Sequence, residues 1–340
     1  MGGRLSSQSR SGEVRKEMSS KVAEEGVPTK KAKATPLEEG QGDCFSDDDD
    51  RSAFGNIRIG AEFYDEELRY VKHNDPETTY LNLNHMDEFT NRAWARVGSI
   101  VKNNTYVRRV NLSGCDLESG FTALMEGGLM DRNAPLTGLS LTQNTHIFHY
   151  GNDKLLGKYL EKNKDMEDLD LEETDVTPDT LRNILPGLDG SKLQDLNISH
   201  GMLQDDSVNK AVAAQSGSVG TITPTWDGVL KIFEDINLPE LTCLVLSHCQ
   251  GGADLCQAVA HLLKNKSNKL RSVDLSSNMF GDYLDGYGGC DCEVLKSAVK
   301  ENTTLKHLDL SYNEEIDDWV EKWIVELKES NSPLRITYNM

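Results

Sequence analysis

The sequence predicts an α/β protein: a curved solenoid with parallel strands on its concave face, helices on its convex face and a disordered N-terminal tail. Three observations predict it. A short phrase recurs, as "SKLQDLNISHG" at Ser191–Gly201, "NKLRSVDLSSN" at Asn268–Asn278 and "TTLKHLDLSYN" at Thr303–Asn313. The apolar centres of the phrase are Leu81, Val110, Leu139, Leu169, Leu196, Leu244, Val273 and Leu308, separated by 29, 29, 30, 27, 48, 29 and 35 residues. A period of that size marks a stacked repeat. Within a unit the hydrophobic pattern first alternates, as in Leu308-Asp309-Leu310-Ser311, and then turns to helical spacing.

Alternation describes a strand with one buried face. The helical half is carried by Phe89, Ala93, Val97 and Val101 in the first unit and by Leu255, Val259 and Leu262 in the sixth. Neither element can bury its apolar side alone, so successive units must stack into a shared core. The 48-residue spacing is one repeat plus an insertion near 211–228, and a half-match, "PLRITYN", closes the chain. About eight repeats therefore occupy 78–340, preceded by a capping segment at 61–77 that contains the helix-like "EFYDEELRYV". Pro186 is expected to shorten or disturb the fourth helix. Trp319 and Trp323, at i,i+4 spacing, are expected to close the apolar end of the stack.

After each strand one slot holds Cys115, Asn144, Thr174, Gly201, Cys249, Asn278 or Asn313. A buried turn there leaves backbone groups in need of partners, and an asparagine amide can supply them. Cysteine is a small, mostly apolar occupant of the same slot. The stretches "VKNNTYVRRVNLSGCDL" (Val101–Leu117) and "VKENTTLKHLDLSYN" (Val299–Asn313) resemble leucine-rich repeats of the ribonuclease-inhibitor type. The resemblance runs from about Thr78 to Met340 and departs from the pattern at Met86, at Thr174 and in the insertion. It implies a fold built for protein–protein contact. It also implies an alternative, regulation of a small GTPase, since some related repeat proteins activate GTPases; no residue identified here carries that activity.

Composition narrows the function. The formal net charge of −20 argues against a nucleic-acid surface, because affinity for phosphates rests on Lys and Arg. A basic protein partner is the natural counterpart. No phosphate-cradling loop or nucleophile motif stands out, so the reading is non-enzymatic, with no catalytic residue, cofactor or metal assigned. His200 and His248 hold equivalent positions in neighbouring units, with His85 further off, and are read as loop histidines. The fourth unit departs most: "DMEDLDLEETD" places seven acids between Asp165 and Asp175. The candidate partner-binding residues are Glu167, Asp168, Asp170 and Glu172 there, with Asp195 and Asn197 in the next unit.

Residues 1–60 have little apolar periodicity and are read as a disordered tail. "MGGRLS" fits the N-myristoylation template at Gly2. Through Pro36 there are eight basic and four acidic side chains, a net of +4 against −24 for the remainder. That pairing predicts weak, reversible membrane attachment. Ser6 beside the lipidation site and Ser46 before "DDDD" are candidate phosphorylation sites. Met1–Ser11 is polar, no run approaches the roughly 18 apolar residues of a spanning helix, and seven irregularly spaced cysteines suggest free thiols. The expected location is cytoplasmic with peripheral membrane contact.

Overall fold

The computed structural model describes residues 68–201, 233–280 apart from 234, 250, 266, 268 and 279, and then 293–313, 317–329 and 333–338. The chain falls into two units, Met1–Gly42 and Asp43–Met340, and every described residue belongs to the second. The expected tail, Gly2, Ser6, Ser46 and the 211–228 insertion all lie outside the described residues.

Strand and helix alternate through the described chain. The first four pairs are β1 (Tyr80–Asn82) and α1 (Asn91–Asn103), β2 (Arg109–Asn111) and α2 (Glu118–Gly127), β3 (Gly138–Ser140) and α3 (Asn152–Lys162), and β4 (Asp168–Asp170) and α4 (Pro178–Leu188). Then come β5 (Asp195–Asn197), β6 (Cys243–Val245), α5 (Gly252–Lys264), β7 (Ser272–Asp274), α6 (Glu293–Glu301), β8 (His307–Asp309), α7 (Asp317–Glu329) and β9 (Arg335–Thr337). All nine strands form one parallel sheet in sequence order. The register carries Leu81 to Val110, Leu139, Leu169, Leu196, Leu244, Val273, Leu308 and finally Ile336. The closing half-match is thus a ninth strand.

Curvature follows from the unequal widths of the two elements. Paired strands sit about 4.8 Å apart, whereas packed helices need about 8–10 Å. The sheet therefore takes the shorter, inner arc. Each strand sends its central residue and the one two positions later into the space under the helices, and Leu83, Leu112, Leu141, Leu171, Ile198, Leu246, Leu275 and Leu310 are all fully buried. Each such leucine contributes roughly 2 kcal/mol. Helices supply the opposite wall, with Trp94, Val97 and Val101 of α1 and Leu181, Ile184 and Leu185 of α4 buried. Trp323 of α7 is fully buried at the far end, and Leu68 and Val71 are buried at the near end.

The slot after each strand stitches repeats together. Asn144 accepts from the Cys115 and Leu117 amides at 3.0 and 3.2 Å and donates to the Leu112 and Leu141 carbonyls at 2.8 and 2.7 Å. Asn278 and Asn313 repeat the arrangement after β7 and β8. The Cys115 thiol donates back to the Leu83 carbonyl at 2.9 Å, so cysteine is more than an apolar filler there. Immediately before the slot the backbone turns left-handed. His85, Gly114, Gln143, Glu173, His200, His248, Ser277 and Tyr312 all have φ between 55° and 64°. Seven of those eight carry a side chain where glycine is favoured, a local cost that the surrounding hydrogen bonds must offset.

Pro186 does not have the expected effect. Helix α4 continues through it to Leu188, and the Lys164 ammonium donates to the Gly187 and Asp189 carbonyls at 2.8 and 3.0 Å, closing the end. The missing N–H and the ring of a proline act on the turn before it, and here that turn stays helical from Pro178 onward.

Removing the slot amide leaves four backbone groups without partners, each costing about 1 kcal/mol or more when buried. Asn144→Ala is therefore expected to lower unfolding free energy by about 3–5 kcal/mol in urea titrations, against less than about 0.5 kcal/mol for exposed Asn103→Ala.

Candidate functional site: the acidic stretch of the concave sheet

The two residues flanking each strand centre point away from the core, and parallel register turns them into two columns. The second column begins Asn82, Asn111, Ser140, Asp170, Asn197 and ends Asp274, Asp309, Thr337. Its acids and amides have a shared task. Asn111, Asp170, Asn197, Asp274 and Asp309 each accept a hydrogen bond from the amide two residues on, at 2.9–3.2 Å. This local turn explains the "LDLS" and "LNLS" wording. Asp170 and Asn197, both read from the sequence as partner-binding, thus each commit one oxygen to their own backbone.

The first column is more varied. It runs Tyr80, Arg109, Gly138, Asp168, Asp195, Cys243. Asp168 and Asp195 stand directly opposite one another in register. Arg109 reaches Asp168 from two strands away, Nη1 to Oδ2 at 3.6 Å. Gly138 lies between them, and a Cβ there would stand 2.9 Å from the Arg109 Cγ, so the glycine provides the path. The Asp168 side chain is only 15% exposed. Burial pushes its carboxyl up to about 6, with the neighbouring Asp195, Asp170 and Glu167 adding to the rise and Arg109 opposing it. Burial likewise raises Asp170, opposed mainly by its bond to the Glu172 amide.

Glu172 lies just past β4, and Asn197 donates to its Oε2 at 3.3 Å. Glu167 is half-buried just before β4. The six sequence-predicted residues therefore gather on β4, β5 and their flanks. Sequence reading missed Arg109 and Gly138, which lie 59 and 30 residues before Asp168; the signal was present as equal positions in the repeated phrase. The slot thiols take no part. Burial drives both Cys115 and Cys249 up to about 12, which keeps them protonated and unreactive.

Nine strands in one unbroken parallel register, each of the first eight leading into a left-handed turn, settle the family. The chain is a leucine-rich repeat protein. A leucine-rich repeat family model matches residues 301–318. Mouse leiomodin-1 is 28% identical over 135 residues, and the aligned stretch spans 40% of this chain but only 20% of that protein. Among solved structures, one described as leiomodin-1 actin-binding site 2 is 20% identical, with 45% of this chain and 95% of that one covered at a TM-score of 0.26. A chain of the yeast Rad7–Elc1 complex is 21% identical, covering 77% and 63% at a TM-score of 0.47.

The raised Asp168 carboxyl sets the direction of a stability change with pH. Between about 4 and about 6 the folded chain retains a proton that the unfolded chain has released, so stability falls as pH rises through that window and levels off above it. A shift of this size corresponds to about 3 kcal/mol. Asp168→Asn is expected to raise unfolding free energy by about 2–3 kcal/mol at pH 7, the gain shrinking toward zero at pH 4 in denaturant titrations.

Proposed function

We propose that this leucine-rich repeat protein is a non-enzymatic scaffold that holds a Lys/Arg-rich segment of a protein partner against β4 and β5. The fold is that of an interaction scaffold, and no helix among the described residues is long and apolar enough to cross a membrane. The observation carrying the reading is the opposed Asp168–Asp195 pair, half-buried and held against its own repulsion. Carboxylates kept in such a setting mark a functional surface more readily than a structural one. Arg109 already shows the mode of recognition, a guanidinium lying along the column toward Asp168. A partner's arginine would meet the same carboxylates, and long-range attraction from a chain of net charge −20 would speed its approach.

In the same reading the tail acts as a weak tether. A myristoyl group on Gly2 binds membrane with an association constant of only about 10⁴ M⁻¹. The basic excess before Pro36 adds to it, and phosphate on Ser6 subtracts from it. A myristate analogue supplied to expressing cells is expected to label the wild-type chain and to leave Gly2→Ala unlabelled; an unlabelled wild type removes the tether.

A second reading, actin binding, is favoured by the 28% identity with mouse leiomodin-1, a protein with a segment described as an actin-binding site. Regulation of a small GTPase has only the family resemblance behind it. Actin cosedimentation and stimulated GTP hydrolysis, respectively, address these two.

The docking test neutralises charge without changing shape. Asp168→Asn, Asp195→Asn and Glu167→Gln combined are expected to weaken binding of an arginine-rich peptide at least tenfold in fluorescence anisotropy, and to flatten its salt dependence. The control triple Glu161→Gln, Asp179→Asn and Glu301→Gln removes the same charge from exposed helix positions and is expected to change affinity less than threefold. Equal losses in the two triples would reduce the effect to net charge and exclude the concave site.

A further inference from the structure

We propose that Glu172, Glu173 and His200 form a binding site for a divalent metal ion of the zinc class, at the edge of the sheet where strands lead into helices. One carboxylate oxygen from each glutamate and one imidazole nitrogen from His200 lie within 4.8 Å of one another. Protein ligands about 2.0–2.2 Å from a zinc ion are separated by some 3–4 Å, so side-chain rotation alone closes the set.

The backbone holds these donors in place. Glu173 and His200 occupy the same left-handed position in adjacent repeats, with φ of 55° and 60°. The Glu173 amide donates to the Ser199 carbonyl at 3.0 Å, which fixes the separation of the two repeats at that point. Beneath Glu173, the Thr174 hydroxyl bonds the Leu171 carbonyl at 2.6 Å and anchors the turn. Each ligand has an orienting neighbour as well. Asn197 donates to the Glu172 carboxylate at 3.3 Å. The His248 ring, one repeat on, stacks on His200 with centroids 4.4 Å apart and planes 10° from parallel, restricting its rotation. Partners of this kind set the orientation of metal ligands.

Charge points the same way. Of the seven acids between Asp165 and Asp175, ion pairs reach Asp165 from Lys192, Asp168 from Arg109 and Asp175 from His146. Among the described residues no ion pair reaches Glu172 or Glu173, so two adjacent carboxylates face one imidazole. Two oxygen donors and one imidazole nitrogen suit zinc, cobalt or nickel; calcium and magnesium take oxygen ligands almost throughout. Three protein ligands also leave a coordination position for water. The sequence shows His200 and His248 in matching positions but hides their proximity to Glu173, since residue 173 and residue 200 become neighbours only through the register of β4 and β5.

The site stands independently of the docking reading, although Glu172 belongs to both. The full-length chain in a non-chelating buffer with a phosphine reductant is titrated with Zn²⁺ by calorimetry, and Co²⁺ is used as a visible-absorption probe. One Zn²⁺ is expected to bind with micromolar affinity or tighter. Glu173→Gln and His200→Ala should each weaken it at least tenfold while circular dichroism shows an unchanged fold. Asp195→Asn, which the docking site requires, should leave metal affinity intact, so either idea can fail alone. Cobalt bands without a thiolate charge-transfer absorption are expected. Uptake unchanged in both ligand variants, a thiolate band, or no binding below millimolar Zn²⁺ would each overturn the assignment.

Discussion

Parallel strand pairing in unbroken register is the constraint from which the other features follow. It fixes neighbouring repeats about 4.8 Å apart on the inner face whatever side chains they carry. Apolar centres are then stacked into one continuous core, and turns, slots and surface residues become columns. No repeat can shift to relieve a poor contact without breaking two ladders and turning its core residues toward solvent. Left-handed turns at seven residues that are not glycine are held by that rigidity and by the amides and thiols of the slot.

The same rigidity brings like charges together. Asp168 and Asp195 are opposed because their strands are paired, and burial along the column raises the Asp168 carboxyl to about 6. An isolated surface pair would separate by rotation; here both Cα positions are pinned. Arg109 offsets part of the repulsion, and it reaches the pair only because Gly138 leaves its strand face bare. Local stability is given up at this place in the sheet.

The solenoid was legible because its determinants are local and repeated: an alternating strand, a polar slot and a helical stripe every 29 residues or so. The ninth strand escaped full recognition because the phrase around Ile336, "PLRITYN", matches only half of the repeated template. Pro186 was misjudged because the helix stays continuous despite the N–H it lacks, and Lys164 bonds the carbonyls at its end. At the site, the grouping of Glu167, Asp168, Asp170, Glu172, Asp195 and Asn197 was readable from acidic density alone. The division of labour among them was not. Asp170 and Asn197 look like Asp168 in sequence, yet their side chains bind the amide two residues ahead. Arg109 and Gly138 act across two repeats, so their part emerges only when side-chain reach is added to register.

That division decides where recognition can be encoded. A second-column residue that must cap its own turn is restricted to Asp, Asn or a similar acceptor, and repeats so restricted present nearly the same surface. The repeats diverge in the first column: an exposed Tyr80, then Arg109, Gly138, Asp168, Asp195 and Cys243. Along that row the surface passes from aromatic to basic to acidic within five strands. A partner that follows the row meets a sequence of distinct chemistries, whereas one that crosses it meets repeated polar groups. In the proposed docking mode, specificity would therefore belong to contacts made along the sheet, perpendicular to the strands, with the opposed carboxylates of β4 and β5 among them.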